Sequence, residues 1–279
     1  EVATKWPDDD RAVIALGLTS EATTFAPQYS KAISKLIEQL GEEGYSISSF
    51  DDRHAVTVSI AGRDRRGVMF GIGRLLRALR MTPGKIELVE PLQVTSTPRY
   101  PMRGHQLGYR PKTNAYDAWD LPQWEQYYRD LIVFGTNAVE LVPPRTDDHA
   151  TSPHFPRPQL EMITGMSRLA DEYDLDVWIW FPALDHDYDK PEVLDASMKE
   201  WKQVFAALPR LDAVFVPGGD PGHTRPRDLM AMLAEQIPGL RAHHPQAQVW
   251  ISPQGFTQEW LDEFLDILRN NPPEWFTGV

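Results

Sequence analysis

From residue 103 to the end of the chain, short apolar segments alternate with longer segments of helical periodicity. The alternation recurs roughly every 35 residues, which is the spacing of βα units. A chain with this pattern folds as a parallel sheet with helices packed on it, either as a (β/α) barrel or as a doubly wound open sheet. The predicted strands are residues 103–109, 137–142, 175–181, 211–217 and 247–252, and the predicted helices are 121–134, 158–173, 195–208, 226–243 and 257–269.

The number of units is too small for a complete barrel of the (β/α)8 type, so the chain is either a fragment of one or a barrel that is incomplete by design, and we favour a fragment. Five βα units can be counted, and residues 274–279 (EWFTGV) have the character of a sixth strand's beginning. A complete barrel of this type spans about 250 residues. We therefore expect a catalytic barrel domain over residues 98–279 that stops after about five units.

Residues 1–97 are predicted to form a separate small α+β domain. Strands and helices follow one another in a βαββαβ-like order, and both helices are expected on one face of the sheet. The segment leaves through KIELVEP and a connector that contains two prolines, LQVTSTPRYP. The predicted strands are residues 11–18, 44–49 and 54–61, and the predicted helices are 25–40 and 65–80.

Three glycines, Gly67, Gly71 and Gly73, lie within the second of these helices. A dinucleotide-binding fingerprint requires a preceding strand and a turn at the glycines. Because these glycines lie inside a helical pattern, we interpret them as points of close packing, and no nucleotide cofactor is expected.

Composition excludes several classes of partner. The net charge of −12 over 279 residues argues against nucleic acid, which is bound by clustered Lys and Arg. No apolar run approaches the ~18 residues that span a membrane, so no membrane partner is expected. The chain has no cysteine and begins at Glu1 rather than Met. We expect a processed start after signal-peptide removal and a periplasmic or secreted location, although a cytoplasmic one is also compatible.

The segment LDAVFVPGGDPGH at residues 211–223 carries the strongest functional signal. An apolar strand ends at two glycines, and Asp220 follows directly. Catalytic groups of barrel enzymes lie at the C-terminal ends of the strands. We therefore predict a functional carboxylate at Asp220.

The other predicted strands end in polar and aromatic residues as well. Carboxylates, amides and bases bind sugar hydroxyls, aromatic rings stack on sugar faces, and glycoside cleavage uses a pair of acidic groups. The sequence predicts a carbohydrate site with Asp220 and Glu140 as catalytic carboxylates. The predicted substrate-binding residues are His105, Arg110, Lys112, Trp180, Asp185, His223 and Gln254.

Each candidate also has a purely structural interpretation. His105 can be a hydrogen-bonded core histidine, Glu140 can pair with an arginine, and Trp180 can fill the barrel. The acidic stretch at residues 185–189 is typical of a solvated loop. A metal site built from His105, Glu140, Asp185 and His223 is conceivable at a barrel mouth. No tightly spaced ligand motif supports it, so neither a metal nor a cofactor is expected.

Several segments resemble glycoside hydrolases. The run GRDRRGVMFGIGRLLRAL followed by TPRYPMRG is similar to the small domain that precedes the barrel in β-N-acetylhexosaminidases of family 20 and in α-glucuronidases of family 67. FGTNAVELVPP resembles the second barrel strand of these enzymes. VFVPGGDPG resembles the fourth-strand Gly-Gly-Asp-Glu segment of the hexosaminidases.

The resemblance implies roles for two residues. Arg110 stands near the arginine that holds sugar hydroxyls, and Asp220 matches the aspartate that orients the acetamido group in family 20. The glutamate that follows this aspartate is that family's general acid, and Pro221 replaces it here. Proline cannot donate a proton, so the Gly-Gly-Asp-Pro-Gly sequence favours an α-glucuronidase-like or other relative over a hexosaminidase. The α-glucuronidases have their general acid near this strand and their general base on later strands.

The function expected from the sequence is therefore that of a glycosidase in polysaccharide degradation. Its substrate would contain uronic acid or N-acetylhexosamine. A carbohydrate-binding protein or inactive hydrolase relative is the alternative, and a metal-dependent hydrolase or isomerase is a third. No oligomeric state is implied.

Overall fold

The computed structural model of the protein describes residues 12–37, 40–52, 55–107, 118–146, 154–220 and 224–279. The chain forms two compact units. The first comprises residues 1–103 and 129–137, and the second comprises residues 104–128 and 138–279.

The first unit is built on a four-stranded sheet. Its strands lie in the order Val13–Leu18 (β1), Ala55–Gly62 (β3), Tyr45–Asp52 (β2) and Gln93–Ser96 (β6); β1 is parallel to β3, and the other two pairings are antiparallel. Two further strands form a separate hairpin. The hairpin strands are Leu79–Thr82 (β4) and Lys85–Leu88 (β5), and the helices are Ala22–Phe25 (α1), Ser30–Ile37 (α2) and Arg65–Leu76 (α3).

The helices of this unit pack on opposite faces of the sheet, so the prediction that they share one face is wrong. Ala15 and Ala61 form a buried cluster with Ile33 of α2. Ile60 points to the other face, where it contacts Gly71 of α3. Neighbouring residues of a strand point to opposite faces of the sheet. The small side chains of Ala15 and Ala61 allow α2 to pack closely on one face, and Gly71 allows α3 to pack closely on the other.

The exit from the first unit also differs from the prediction. KIELVEP does not lead directly out of the unit, because Lys85–Leu88 pairs with Leu79–Thr82 around a Pro83–Gly84 turn. Gly84 has φ +78° there. The expected connector instead contains β6, which pairs with β2.

The glycines of α3 are points of close packing, as predicted. A Cβ on Gly67 would lie 2.3 Å from the Gly44 carbonyl oxygen, and one on Gly71 would lie 2.5 Å from Ile60 Cγ2. Both distances are far below van der Waals contact, so glycine brings α3 close to the sheet. Asp64 caps this helix by accepting a hydrogen bond from Gly67 N at 2.8 Å.

Glu43 is the centre of a buried ionic network in the first unit. It is 7% exposed and has φ +56°, a left-handed conformation that is uncommon for glutamate. Its carboxylate accepts hydrogen bonds from Arg103 at 2.5 Å, from Arg66 at 3.1 Å and from Asn137 at 3.0 Å. Burial by itself raises the pKa of Glu43, but these three donors outweigh it and lower that pKa.

The second unit contains a five-stranded, all-parallel sheet in sequence order. Helices between the strands make it a partial α/β barrel, and the predicted fold class is confirmed. The strands are Gly104–Leu107 (β7), Ala138–Leu141 (β8), Asp176–Trp180 (β9), Ala213–Val216 (β10) and Gln248–Ile251 (β11), and the helices are Leu121–Val133 (α4, whose residues from 129 onwards belong to the first unit), Gln159–Glu172 (α5), Pro191–Ala207 (α6), Pro226–His243 (α7) and Gln258–Asn270 (α8).

Residues near position 278 pair with the last of these strands, as a sixth strand would. Gly278 forms a parallel bridge with Trp250. Ile251 N donates to Gly278 O at 3.1 Å, and Thr277 N donates to Val249 O at 2.9 Å. The beginning of a sixth strand predicted there is confirmed to this extent.

Alternation along the parallel strands gives the sheet two different faces. One face carries fully buried aliphatic residues, among them Leu107, Leu141 and Ile179. The other face, called the inner face below, carries partly exposed polar and aromatic side chains on every strand. The inner-face residues include Gln106, Glu140, Asp176, Trp178, Trp180, Ala213, Phe215, Gln248 and Trp250.

An ion-pair cluster ties together the N-terminal ends of β9 and β10. Arg210 Nη2 lies 2.8 Å from Asp176, and Arg210 Nε lies 2.7 Å from Asp212. Asp212 also accepts a hydrogen bond from Val177 N at 2.7 Å. In barrels this end of the strands serves stability, whereas the opposite end carries function.

We predict that Glu43→Gln destabilises the protein at neutral pH by about 3 kcal/mol, because the buried Glu43 carboxylate no longer forms ion pairs with the partly buried guanidinium groups of Arg66 and Arg103. Since folding lowers the pKa of Glu43, its contribution is present above the ordinary value of 4.5 and is lost as the pH falls through the lowered value. Urea unfolding at several pH values measures both effects. Glu42→Gln at the exposed neighbouring position is the control; an equal loss in both variants would contradict the assignment.

Candidate functional site

The loops that follow β10 and β11 interlock at the C-terminal ends of the strands. Gly219 N donates to the Gln254 carbonyl at 2.8 Å. Gly218 has φ +60°, and a Cβ there would lie 2.4 Å from the Ser252 carbonyl oxygen. Two separate constraints, conformation and space, therefore require glycine at position 218.

This interlocked turn sets the position of Asp220. Asp220 N donates to the Pro217 carbonyl at 3.2 Å. The Gln254 side-chain amide donates from Nε2 to Asp220 Oδ2 at 2.6 Å. Two residues predicted separately from the sequence are thus joined by a short hydrogen bond, and both are at the strand ends where barrel enzymes carry their chemistry.

Glu140 forms a second carboxylate–amide pair on the inner face. It lies directly opposite Gln106 in the parallel register of β7 and β8. Gln106 Nε2 donates to Glu140 Oε2 at 2.8 Å. Burial raises the pKa of Glu140, and the hydrogen bond from Gln106 opposes this rise.

Aromatic side chains cover the inner face on β9, β10 and β11. Trp180 is paired in register with Phe215, which is in turn paired with Trp250. Trp178, one layer nearer the N-terminal ends, approaches Trp250 with ring centroids 5.9 Å apart. Of these four, the sequence analysis singled out only Trp180. The alternate tryptophans of DVWIW were the available signal for Trp178.

The two predicted catalytic carboxylates occupy different layers. Strands β8 and β10 are separated by two strand spacings, which is roughly 10 Å across the sheet. The register places Glu140 level with Ala213 of β10, and Val216 lies three residues further along that strand, which is roughly 10 Å. Asp220 follows Val216 and is therefore at the rim, whereas Glu140 is within the sheet.

Asp185 is part of an ionic clamp between the loops after β8 and β9. Arg145 Nη1 and Nη2 donate to its two oxygens at 2.9 and 2.7 Å, while Arg145 Nε donates to Glu200 of α6 at 2.8 Å. Burial lowers the pKa of Arg145, but the two carboxylates outweigh it and raise that pKa. The clamp borders a cleft of about 430 Å³. Asp185 thus has a structural partner in addition to its predicted substrate role.

His105 is placed apart from the other predicted residues. It pairs in register with buried Val139, so it points to the helix-covered face and away from Glu140. Its ring packs edge-on against Tyr127, with centroids 5.8 Å apart. Buried Nδ1 has no hydrogen-bond partner among the described residues. The ring therefore packs with core side chains, but Nδ1 does not form the hydrogen bond expected of a core histidine with any described residue.

The remaining predicted residues, Arg110, Lys112 and His223, lie outside the described part of the chain, as does Pro221. Among the residues that are described, no three His, Asp or Glu side chains are grouped to hold a metal ion. Within the same residues, no helix has the length and apolar character needed to cross a membrane.

Comparison with known proteins identifies the fold. No family model matches the chain, and no curated protein matches it. Two similar solved structures are CpGH84D and CpGH84B, whose names mark glycoside hydrolase family 84. The first has a TM-score of 0.58 at 14% identity, over 100% of this chain and 47% of that one. The second has a TM-score of 0.51 at 13% identity, over 87% of this chain and 46% of that one.

The chain thus spans about half the length of these two structures. At such low identity the likeness establishes the fold alone: this chain shares the α/β fold of these two family 84 structures. It does not support the narrower assignment to family 20 or family 67 that the short motifs suggested.

We predict that Gly218→Ala destabilises the protein more than Gly84→Ala. Both glycines have positive φ, so alanine costs each about 1 kcal/mol in conformation. A Cβ on Gly84 has open space around it, whereas one on Gly218 meets the Ser252 carbonyl. Urea unfolding measures the two losses, and equal losses would show that the loops are not interlocked in solution.

Proposed function

We propose that the protein is a glycosidase that acts on oligo- or polysaccharides containing N-acetylhexosamine. The observation that carries the proposal is the Asp220–Gln254 pair, held on interlocked loops at the strand ends. Asp220 Oδ2 receives the Gln254 amide, and the carboxylate has further lone pairs for a ligand donor. An acetamido N–H is such a donor, so Asp220 would orient this group of the sugar.

Among the described residues, charge at the strand ends favours an acetamido sugar over a uronate. The Arg145 guanidinium is shared between Asp185 and Glu200, so it is not available to a ligand carboxylate without breaking those pairs. A uronate near Asp220 would bring two carboxylates together, which is unfavourable. A neutral N-acetylhexosamine avoids this repulsion.

The other proposed roles follow from the placement of the residues. Trp180 lies at the end of β9 in register with Phe215, where its ring can stack on a sugar face. Glu140 is the second carboxylate, and burial raises its pKa towards the range that suits a proton donor. Arg110, Lys112, Asp185 and His223 remain predicted substrate contacts. A periplasmic or secreted location and a role in polysaccharide degradation also stay predictions.

A carbohydrate-binding protein without catalysis is the second candidate function. Two observations favour it. Pro221 follows Asp220 where a family 20 enzyme has its general acid, and Glu140 lies in a deeper layer than Asp220. Such a protein would keep the orienting carboxylate and the aromatic contacts, but it would not cleave the sugar.

We predict that Asp220→Asn lowers turnover of N-acetylhexosamine oligosaccharides by at least about 100-fold, because it removes the charge that orients the substrate. Release of reducing ends measures the effect. Asp187→Asn, which changes an exposed loop aspartate paired with Lys190, is the matched control and should retain full activity.

Assays of sugar binding and of reducing-end release on the unaltered protein distinguish the glycosidase from the binding protein. Saturable sugar binding without any release of reducing ends would overturn the glycosidase proposal and support the binding protein. Neither binding nor cleavage of any N-acetylhexosamine oligosaccharide would overturn both.

A further inference from the structure

Glu140 is held on the inner face by one polar neighbour on the adjacent strand. The parallel register places Gln106 directly opposite it, and the amide N–H meets Oε2 at 2.8 Å. Because both side chains leave neighbouring strands on the same face, the hydrogen bond restricts Glu140 to rotamers that keep Oε2 beside β7. Among the described residues, none donates a hydrogen bond to the other oxygen, Oε1.

The groups that face Glu140 from the neighbouring strands are uncharged. Gln106 faces it from β7, and Trp178 faces it from β9 in the same register. Asp176, also on the inner face of β9, lies one layer nearer the N-terminal ends, where Arg210 pairs with it at 2.8 Å. Among the described residues in register with Glu140, Gln106 is therefore the polar group that contacts its carboxyl.

We infer that Gln106 is the positioning residue of this carboxyl: its amide fixes the orientation of Glu140 and sets the pH at which Glu140 takes up a proton. An N–H donor favours the ionised carboxylate, and burial favours the neutral acid. The protonation of Glu140 then depends on the balance between these two effects, and removing the donor leaves burial unopposed. The relevance to turnover rests on the proposed glycosidase function.

The direct test is titration of Glu140 by carbon NMR of protein labelled at glutamate carboxyl groups, with Glu140→Gln to assign the resonance. Gln106→Met removes the donor while keeping an unbranched side chain of similar length. Gln248→Met is the matched control, because Gln248 lies on the same face of β11 and its amide oxygen accepts from Trp250 Nε1. We expect the Glu140 midpoint to move to higher pH in Gln106→Met and to stay unchanged in Gln248→Met.

An unchanged midpoint in Gln106→Met, or an equal shift in both variants, would overturn the inference. If Gln106→Met does not fold, Gln106→Glu decides, because a second carboxyl opposite Glu140 moves the midpoint upward through like-charge repulsion. No upward shift in that variant would likewise overturn it.

The pH dependence of glycoside cleavage separates this inference from the proposed function. If Glu140 is the second carboxylate, the limb of the profile that it controls shifts to higher pH together with the NMR midpoint in Gln106→Met. A moved midpoint with an unchanged pH profile leaves the role of Gln106 standing and removes Glu140 from the reaction.

Discussion

The register of the five parallel strands is the constraint on which the second unit depends. Since residues alternate between the faces of each strand, one register decides which side chains enter the helix-covered core and which reach the inner face. A shift of one residue in β8 would bury Glu140 under the helices and turn Val139 to the inner face. The Gln106–Glu140 hydrogen bond and the aromatic layer exist only because every strand keeps this register.

The strand ends add a second constraint, which is local and independent of the register. The β10 strand does not itself position Asp220; the turn after it does, through glycines that allow close contact with the loop after β11. Gln254 then contributes in two ways, because its carbonyl anchors Gly219 and its side chain binds Asp220. Hydrogen bonds of this kind preorganise a side chain for binding or catalysis.

Much of this architecture was readable from sequence, since apolar runs and helical periodicity report burial directly. All five barrel strands lie within the predicted segments, and the Asp220 turn was visible as Gly-Gly-Asp. It was harder to predict which face of a sheet each helix covers. In the first unit, successive residues of β3 point to opposite faces of the sheet. The positions of α2 and α3 depend on which face each helix covers, the face that carries Ala61 or the face that carries Ile60.

Side-chain partners were the least predictable feature. His105 lies within a correctly predicted strand, but its direction follows from the register with β8 rather than from its own segment. The clamp of Arg145 with Asp185 and Glu200 joins residues from two loops and a helix. No local pattern encodes such a contact, because it arises only when the three elements are brought together.

The central claim is that the rim beside Asp220 binds a sugar. The most direct measurement follows the side-chain amide resonance of Gln254 and the indole resonances of Trp178, Trp180 and Trp250 by nitrogen-15 NMR during titration with an N-acetylhexosamine disaccharide. We expect saturable shifts of the Gln254 side-chain amide resonance and of the Trp180 indole resonance. Unchanged resonances at both residues, with sugar binding detected elsewhere or not at all, would contradict it.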